Sequence, residues 1–437
     1  MGALNSNTFS ILESILTKQE LERISREIGV ITRSPKKIEI DKFVNVILIE
    51  TQKRSPSYND IASNYQAAYN ENPSKQAVNK KFTLKTVKLF EKLLEISISK
   101  KIKNIKPKLI NFNRIIIQDS TIIRLPDRLY ELFGGVSNQS AKLCNVRIQC
   151  VYDIVSGKFL NFTIDPYRKN DVSVADDTKV KKNDLLIRDR GYFKVNEFSK
   201  HEKNGSYCIY RYKFNTSFLD VTTKKPINIL KTLEKKKFID MIVCLNDKNK
   251  TKIRLVATPI SVDSANERRR KAKKDCRSNP SEEHLKLLAY SIYLTNIPEK
   301  IANNENIFLL YSLRWRIEIM FKSWKSNMSF SKVHNISMLQ LKIYLFARFI
   351  LVVIAIQRIY GFFAPILSLK HAKYLSLLKI TKYLNSNLDK MASFVKIIMD
   401  KDKINIEKIS STLAKYCCFD KRKRQNFNRL CESLFLS

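Results

Sequence analysis

The stretch YSLRWRIEIMFKSWK, residues 311–325, decides how the rest of the chain is read. At about 100° per residue, Tyr311, Arg314, Glu318 and Lys325 fall within roughly 60° of arc, so a single helix presents all four on one narrow stripe. Leu313, Trp315, Ile317, Ile319, Met320, Phe321 and Trp324 cover the remainder. A helix that is apolar nearly all round is a buried helix, and a charged stripe on it requires a use. The plainer alternative is an exposed ion pair between Glu318 and Arg314 one turn earlier, a common surface arrangement.

Upstream the period changes to that of strands. RIIIQDST (114–121), NVRIQCVYDI (145–154) and KFLNFTIDPY (158–167) are β-branched or aromatic runs bounded by turn residues. DLLIRDRGYF (184–193) follows. Asp119 closes RIIIQ and Asp189 closes LLIR, so each carboxylate sits where an apolar strand turns polar. Ligands and catalytic groups gather at the carboxyl ends of strands in open mixed sheets. Taken singly, either aspartate also reads as a turn residue or helix cap. Further strands are expected in SYCIYRYKF, KFIDMIVCL, TKIRLVATPI and AYSIYLTNI between 206 and 297, with a hairpin at NDKNK.

Composition names the partner. Among 437 residues, 80 Lys and Arg oppose 41 Asp and Glu, a formal net charge of +39. Self-repulsion on that scale calls for a polyanion, and nucleic acid fits better than a membrane surface. The eight cysteines contain no C-x-x-C and the four histidines are scattered, which argues against a zinc site or a disulfide framework and for a reducing cytosol. The start MGALNS matches a myristoylation pattern with nothing else to support an anchor. FILVVIAI (349–356) is too short to span a bilayer and reads as a core helix.

In so basic a chain, three converging carboxylates from Asp119, Asp189 and Glu318 suit hard divalent cations with oxygen ligands. Two such ions can serve an in-line phosphoryl transfer while basic surroundings hold the DNA backbone.

At these residues the sequence resembles a family. Tyr311-x2-Arg314-x3-Glu318-x6-Lys325 reproduces the third motif of DDE transposases of the IS-four type. QDST around Asp119 looks like their first motif and DRGYF from Asp189 like their second. The resemblance implies an α/β fold: a ribonuclease-H-like mixed sheet core with a β-rich insertion, flanked by N-terminal and C-terminal helical regions. It implies Mg²⁺ as cofactor (two ions, with Mn²⁺ able to substitute) held by Asp119, Asp189 and Glu318. Tyr311, Arg314 and Lys325 would contact phosphates near the transposon end, with Arg190 as a neighbour. The partner would be double-stranded DNA, namely terminal inverted repeats and target, bound by a homodimer on paired ends in the bacterial cytoplasm and nucleoid, with no membrane. Cut-and-paste transposition is the implied activity. The rivals are an inactive DNA-binding copy and a nuclease of the same fold without strand transfer. Some relatives trap a flipped base on a tryptophan in the insertion, but the two tryptophans here are Trp315 and Trp324, leaving Tyr290 or Tyr293 as substitutes.

The expected division is a helical DNA-binding region at 1–105, core at 106–205, insertion at 206–300, core again at 301–355 and a C-terminal helical region at 356–437. Within 57–95, Asn72 and Pro73 would open a basic second helix carrying Lys75, Asn79, Lys80 and Lys81, which is compatible with either a helix-turn-helix or an ordinary helical hairpin. ERRRKAKKD (267–275) places Arg268, Arg269 and Arg270 in the densest basic run, suited to DNA phosphates or to a solvated face.

Overall fold

The computed structural model of the chain describes residues 10–33, 37–52, 55–100, 112–135, 143–169, 178–275, 279–331, 336–386 and 388–419, with 333 and 430. The MGALNS start lies outside them. Five helices open the chain: α1 (Lys18–Ile28), α2 (Ile40–Glu50), α3 (Tyr58–Tyr69), α4 (Lys75–Asn79) and α5 (Leu84–Ser99). Their limits are written locally. Thr17–Glu20 and Ser57–Asp60 form capping boxes at the starts of α1 and α3. Gly29 ends α1 at φ 79°, a left-handed position natural to glycine. The expected Asn72–Pro73 start shifts by two residues, because the Ser74 hydroxyl accepts from the Ala77 N–H at 3.2 Å and makes Ser74 the cap.

The sheet confirms the expected fold. Strand β1 (Arg114–Arg124) pairs antiparallel with β2 (Asn145–Asp153), which pairs antiparallel with β3 (Lys158–Pro166). On its other side β1 runs parallel to β4 (Asp184–Arg188), and β4 parallel to β5 (Tyr207–Arg211). The order β3-β2-β1-β4-β5 with these directions is that of a ribonuclease-H-like core. All five residues of β4 are buried, as expected of a strand covered on both faces.

The strand run predicted for the insertion forms no separate sheet. After β6 (Phe218–Leu219), β7 (Pro226–Ile227), β8 (Ile239–Leu245) and β9 (Lys252–Pro259), β10 (Tyr290–Thr295) returns to pair antiparallel with β5. The result is one ten-stranded sheet. Backbone pairing explains this, since β5 would otherwise leave an open edge. The insertion nonetheless has its own apolar core, built from Phe198, Tyr210, Phe218, Val243, Leu255 and Leu294. The NDKNK hairpin joins β8 to β9 as expected.

One further feature differs from the sequence reading, and one extends it. The 311–325 stretch spans two helices, Asn304–Ser312 and Trp315–Asn327, joined by a tight turn through Leu313 and Arg314. The turn's bonds run three residues back, from Arg316 N–H to Leu313 and from Ile317 N–H to Arg314. Second, the apolar 349–356 run belongs to a continuous helix from Met338 to His371, including a π-helical segment at Val353–Tyr360. It is the one described helix long and apolar enough to cross a membrane, yet 89% of its most apolar stretch is buried in the protein. It packs α2 and α5 on the N-terminal side and the helices Leu377–Asn385 and Leu388–Asp400 on the other.

Candidate active site

Asp119 and Asp189 reach the site from neighbouring parallel strands. The last β1–β4 pair is Gln118 with Arg188, and each aspartate is the next residue. Asp189 follows β4 directly, as expected. Asp119 does not end its strand: β1 continues to Arg124, and Asp119 pairs with Cys150 of β2. What ends at Asp119 is the pairing to β4, and that frees the site's side of the strand.

The helix pair then supplies the rest. Arg314, in the turn, donates from Nη1 to Asp119 Oδ2 at 2.9 Å and from Nη2 to Glu318 Oε1 at 2.5 Å. The Tyr311 hydroxyl lies 3.4 Å from Asp189 Oδ1. The Arg314 guanidinium also stands 5.7 Å from the centre of the Tyr311 ring. The Glu318–Arg314 pair thus exists, but as part of a cluster that includes Asp119, not as an isolated surface pair. Lys325 is half-buried and has no ion-pair partner among the described residues; burial pulls its pKa down.

Charge is unevenly balanced here. Burial, helped by the nearby charges of Asp189 and Glu318, lifts the Asp119 carboxyl from an ordinary 3.8 to about 7, against the pull of Arg314 and the Ser120 N–H. Burial likewise raises the Tyr311 hydroxyl. Burial alone would lower the Arg314 pKa, but Tyr311, Asp119, Glu318 and Asp189 together hold it above its usual value. A folded pKa raised in an acid means that the protonated form is favoured. Stability from Asp119 is therefore fully present below about pH 4 and is lost as pH rises through about 7. Thermal melts across that window are expected to show the loss, and Asp119→Asn should flatten it.

Three oxygen donors with one guanidinium between them suit a hard divalent cation. Burial is the first cause of the raised Asp119 pKa, and a cation bound there would favour the charged carboxylate. As placed, Asp119 and Glu318 pair with Arg314 while Asp189 faces the Tyr311 hydroxyl; among the described residues no three His, Cys, Asp or Glu side chains converge as metal ligands.

The remaining candidates are spread out. Arg190, Lys75 and Lys80 are exposed. Arg268 and Arg269 are tied down inside the insertion, to Tyr290 O at 3.0 Å and Leu285 O at 3.0 Å, while Arg270 is exposed. Tyr293 is buried against Tyr311, with ring centres 4.5 Å apart, and offers no free face. Trp324 is fully buried, but Trp315, beside Arg314, is 62% exposed because the turn rotates it away from the core. Two nearby acids are structural or remote. Asp184 is 1% exposed and held by Arg114 at the opposite end of β4, and Asp127 is exposed on a turn.

Sequence reasoning missed the layer beneath. Arg188, 1% exposed, donates from Nε to Gln118 Oε1 at 2.7 Å and from Nη1 to Glu197 Oε2 at 3.1 Å. The period-2 alternation of strands was the available signal. If Asp119 and Asp189 face the helices, Gln118 and Arg188 face the other side together.

A ribonuclease-H-like sheet bearing two aspartates at adjacent strands and a glutamate on a later helix defines a class of nucleic-acid-cutting enzyme. Residues 110–354, more than half of the chain, match the family described as "Transposase DDE domain", and the chain belongs to that family of enzymes acting on DNA. Enzymes of this family use divalent metal ions. Among its relatives are the transposase for insertion sequence element IS231B of Bacillus thuringiensis subsp. berliner, 29% identical over 78% of this chain and 77% of that protein, and the transposase for IS1151 of Clostridium perfringens, 29% identical over 66% and 67%. Of solved structures, the piggyBac transposase synaptic complex with hairpin DNA matches at TM-score 0.46 and 12% identity, covering 97% of this chain and 88% of that one.

Proposed function

We propose that the chain cuts DNA at the ends of its own insertion sequence and joins the freed 3′ ends to target DNA. The observation that supports this reading is the bridging of Asp119 and Glu318 by Arg314, with Asp189 beside the Tyr311 hydroxyl, so that three separate segments are linked through one arginine and one tyrosine. Asp119, Asp189 and Glu318 would hold the divalent cations, Mg²⁺ or Mn²⁺ in its place, which supply Lewis-acid activation of the phosphodiester and its nucleophile. Water attacks the phosphorus at the element's boundary, the P–O3′ bond breaks, and the 3′-oxygen leaves with a proton. In the joining step that 3′-hydroxyl attacks a target phosphorus and displaces a target 3′-oxygen.

The chain's own groups orient this chemistry. Arg314 offers a planar fork able to take two phosphate oxygens at once. Tyr311 holds a rigid hydroxyl beside Asp189. Lys325 supplies a compact positive charge with no competing acid among the described residues. Lys75, Lys80, Arg190 and Arg270, all exposed, would add backbone contacts. The proposed substrates are terminal inverted repeats and target duplex. A homodimer on paired ends, in the bacterial cytoplasm on the nucleoid, is the proposed working form.

The deciding experiment is a joining assay with duplexes carrying the DNA ends that flank the gene, in Mg²⁺. Cleavage followed by joined product is expected. Cleavage without joining would make the chain a nuclease, and binding alone an inactive copy. Lys325→Ala should weaken end binding and flatten its salt dependence by about one log–log unit; an unchanged slope in the folded variant removes Lys325 from the backbone contacts. Protein lacking residues 1–100, where it folds, should lose preference for its own ends and keep salt-sensitive non-specific binding. Preference retained would move recognition out of the N-terminal helices.

A further inference from the structure

A groove of about 700 Å³ lies between the N-terminal helices and the core, and none of Asp119, Asp189 and Glu318 lines it. One wall is the loop before α3 and the end of α4, with Ser57, Tyr58 and Asn79; the other is Arg128, just beyond β1, with Ser337 at the start of the Met338–His371 helix.

Its donors are left over. Arg128 donates from Nε to Ile336 O at 2.7 Å, and among the described residues its two Nη groups meet no acid. The Asn79 amide and the Tyr58 hydroxyl have no hydrogen-bond partner among those residues. Behind the Ser55 wall sits Arg348, 1% exposed. Among the described residues its hydrogen bonds go to neutral oxygens: Nε donates to Thr51 O at 2.9 Å and Nη2 to Ser55 Oγ at 3.3 Å. A buried guanidinium without a counter-charge raises the positive potential of whatever surface lies next to it. Two long helices, α3 and Met338–His371, also begin at this groove and keep N–H groups without intrahelical partners. The wall also carries one acid, Asp60, whose Oδ2 accepts from the Ser57 N–H and from Ser57 Oγ, each at 2.8 Å; it keeps its negative charge, which Arg128 in the same wall opposes. The walls are fixed to one another, since the Tyr344 hydroxyl donates to Pro56 O at 2.8 Å.

We propose that this groove grips one backbone phosphate of the duplex whose end lies at Asp119, with Arg128, Asn79 and Tyr58 as its ligands. The inference rests on the transposase reading above. Its spacing follows from the fold. β1 carries the chain from Asp119 to Arg124, and Arg128 is four residues on. At about 3.3 Å per strand residue the β1 part of that path is roughly 17 Å, or about five base pairs at roughly 3.4 Å each, with the turn to Arg128 beyond it. A phosphate held there would tie the N-terminal helices and the catalytic strand to the same piece of DNA.

The test uses the full chain and end-bearing duplexes in which single phosphates, about four to eight base pairs from the cut on either side, are replaced one at a time by neutral methylphosphonates. One position is expected to weaken binding by wild-type protein and to have no further effect on Arg128→Ala. Arg128→Ala should lower the salt slope by about one unit and Arg128→Lys restore it, because a point charge suffices for counterion release. Arg128→Lys and Asn79→Ala also guard against misfolding from the lost bond to Ile336. Competition by inorganic phosphate at millimolar concentration without any methylphosphonate effect would assign the groove to a free anion and overturn the proposal. So would normal end binding with no phosphate position that depends on Arg128. Failure of wild-type protein to bind the ends at all would overturn the transposase reading itself.

Discussion

Asp119→Asn, Asp189→Asn and Glu318→Gln are each expected to reduce end cleavage by about a hundred- to a thousandfold, the scale on which loss of one preorganised electrostatic group is felt in a water-poor site, while end binding stays within a few-fold of wild type. The amides keep shape and remove charge. For Asp119 the expectation is sharper. Its carboxyl is held near 7 by burial, so at neutral pH the amide removes a strained charge. Asp119→Asn should therefore melt no lower than wild type at pH 8 while being inactive, a combination that misfolding cannot produce. Glu318→Gln keeps a hydrogen-bond acceptor for Arg314 Nη2 but loses the ion pair. Divalent cation should raise the melting temperature of wild-type protein more at pH 8 than at pH 6, since it competes with the proton on Asp119, and raise that of the three amides little. Cleavage near the wild-type rate by any one variant would take that residue out of the site.

Arg188→Met is expected to have the largest effect on folding, about 3–5 kcal/mol, because it strands Glu197 as a buried charge and removes the donor that holds Gln118. Glu197 retains a contact with Lys200 at 3.1 Å, from the half-exposed side, which softens the loss without replacing the buried partner. The double change Arg188→Met with Glu197→Leu should recover much of the stability, since a well-packed apolar replacement of a buried pair is often neutral. It should not recover the cleavage rate if the pair also fixes the register of the two aspartates one residue further on. A loss under about 1 kcal/mol in chemical denaturation of Arg188→Met would show that the network contributes little. Full activity in the double variant would show that backbone pairing alone positions Asp119 and Asp189.

Several features of this protein were legible in the residues themselves. Strand periods located β1 to β4 and most of the later strands, because side-chain alternation and turn residues are local properties. The charge excess pointed to DNA. The three acids were proposed from apparent strand ends and helix period; Asp189 does follow β4, whereas β1 runs on past Asp119 to Arg124. Which acids meet was not a local matter: Asp119 and Asp184 are both aspartates on buried strands, but Arg114 claims Asp184 at the far end of β4. The turn at Leu313–Arg314 escaped the helical wheel, since its residues keep helical dihedrals while the bonds shorten to three residues. That turn places Arg314 between Asp119 and Glu318 and leaves Trp315 in solvent. The insertion's strands were visible, but their joining to the core sheet depends on β5 meeting β10 across a separation of about eighty residues, and no short-range pattern encodes that pairing. The groove beside Arg128 is set in the same way, by packing of the N-terminal helices against the Met338–His371 helix. Sequence alone determined the chemistry available to this chain, because residue type and local period are written in it. Tertiary structure decided which charges are paired, buried or left free, because burial and partner choice arise only when distant segments come together.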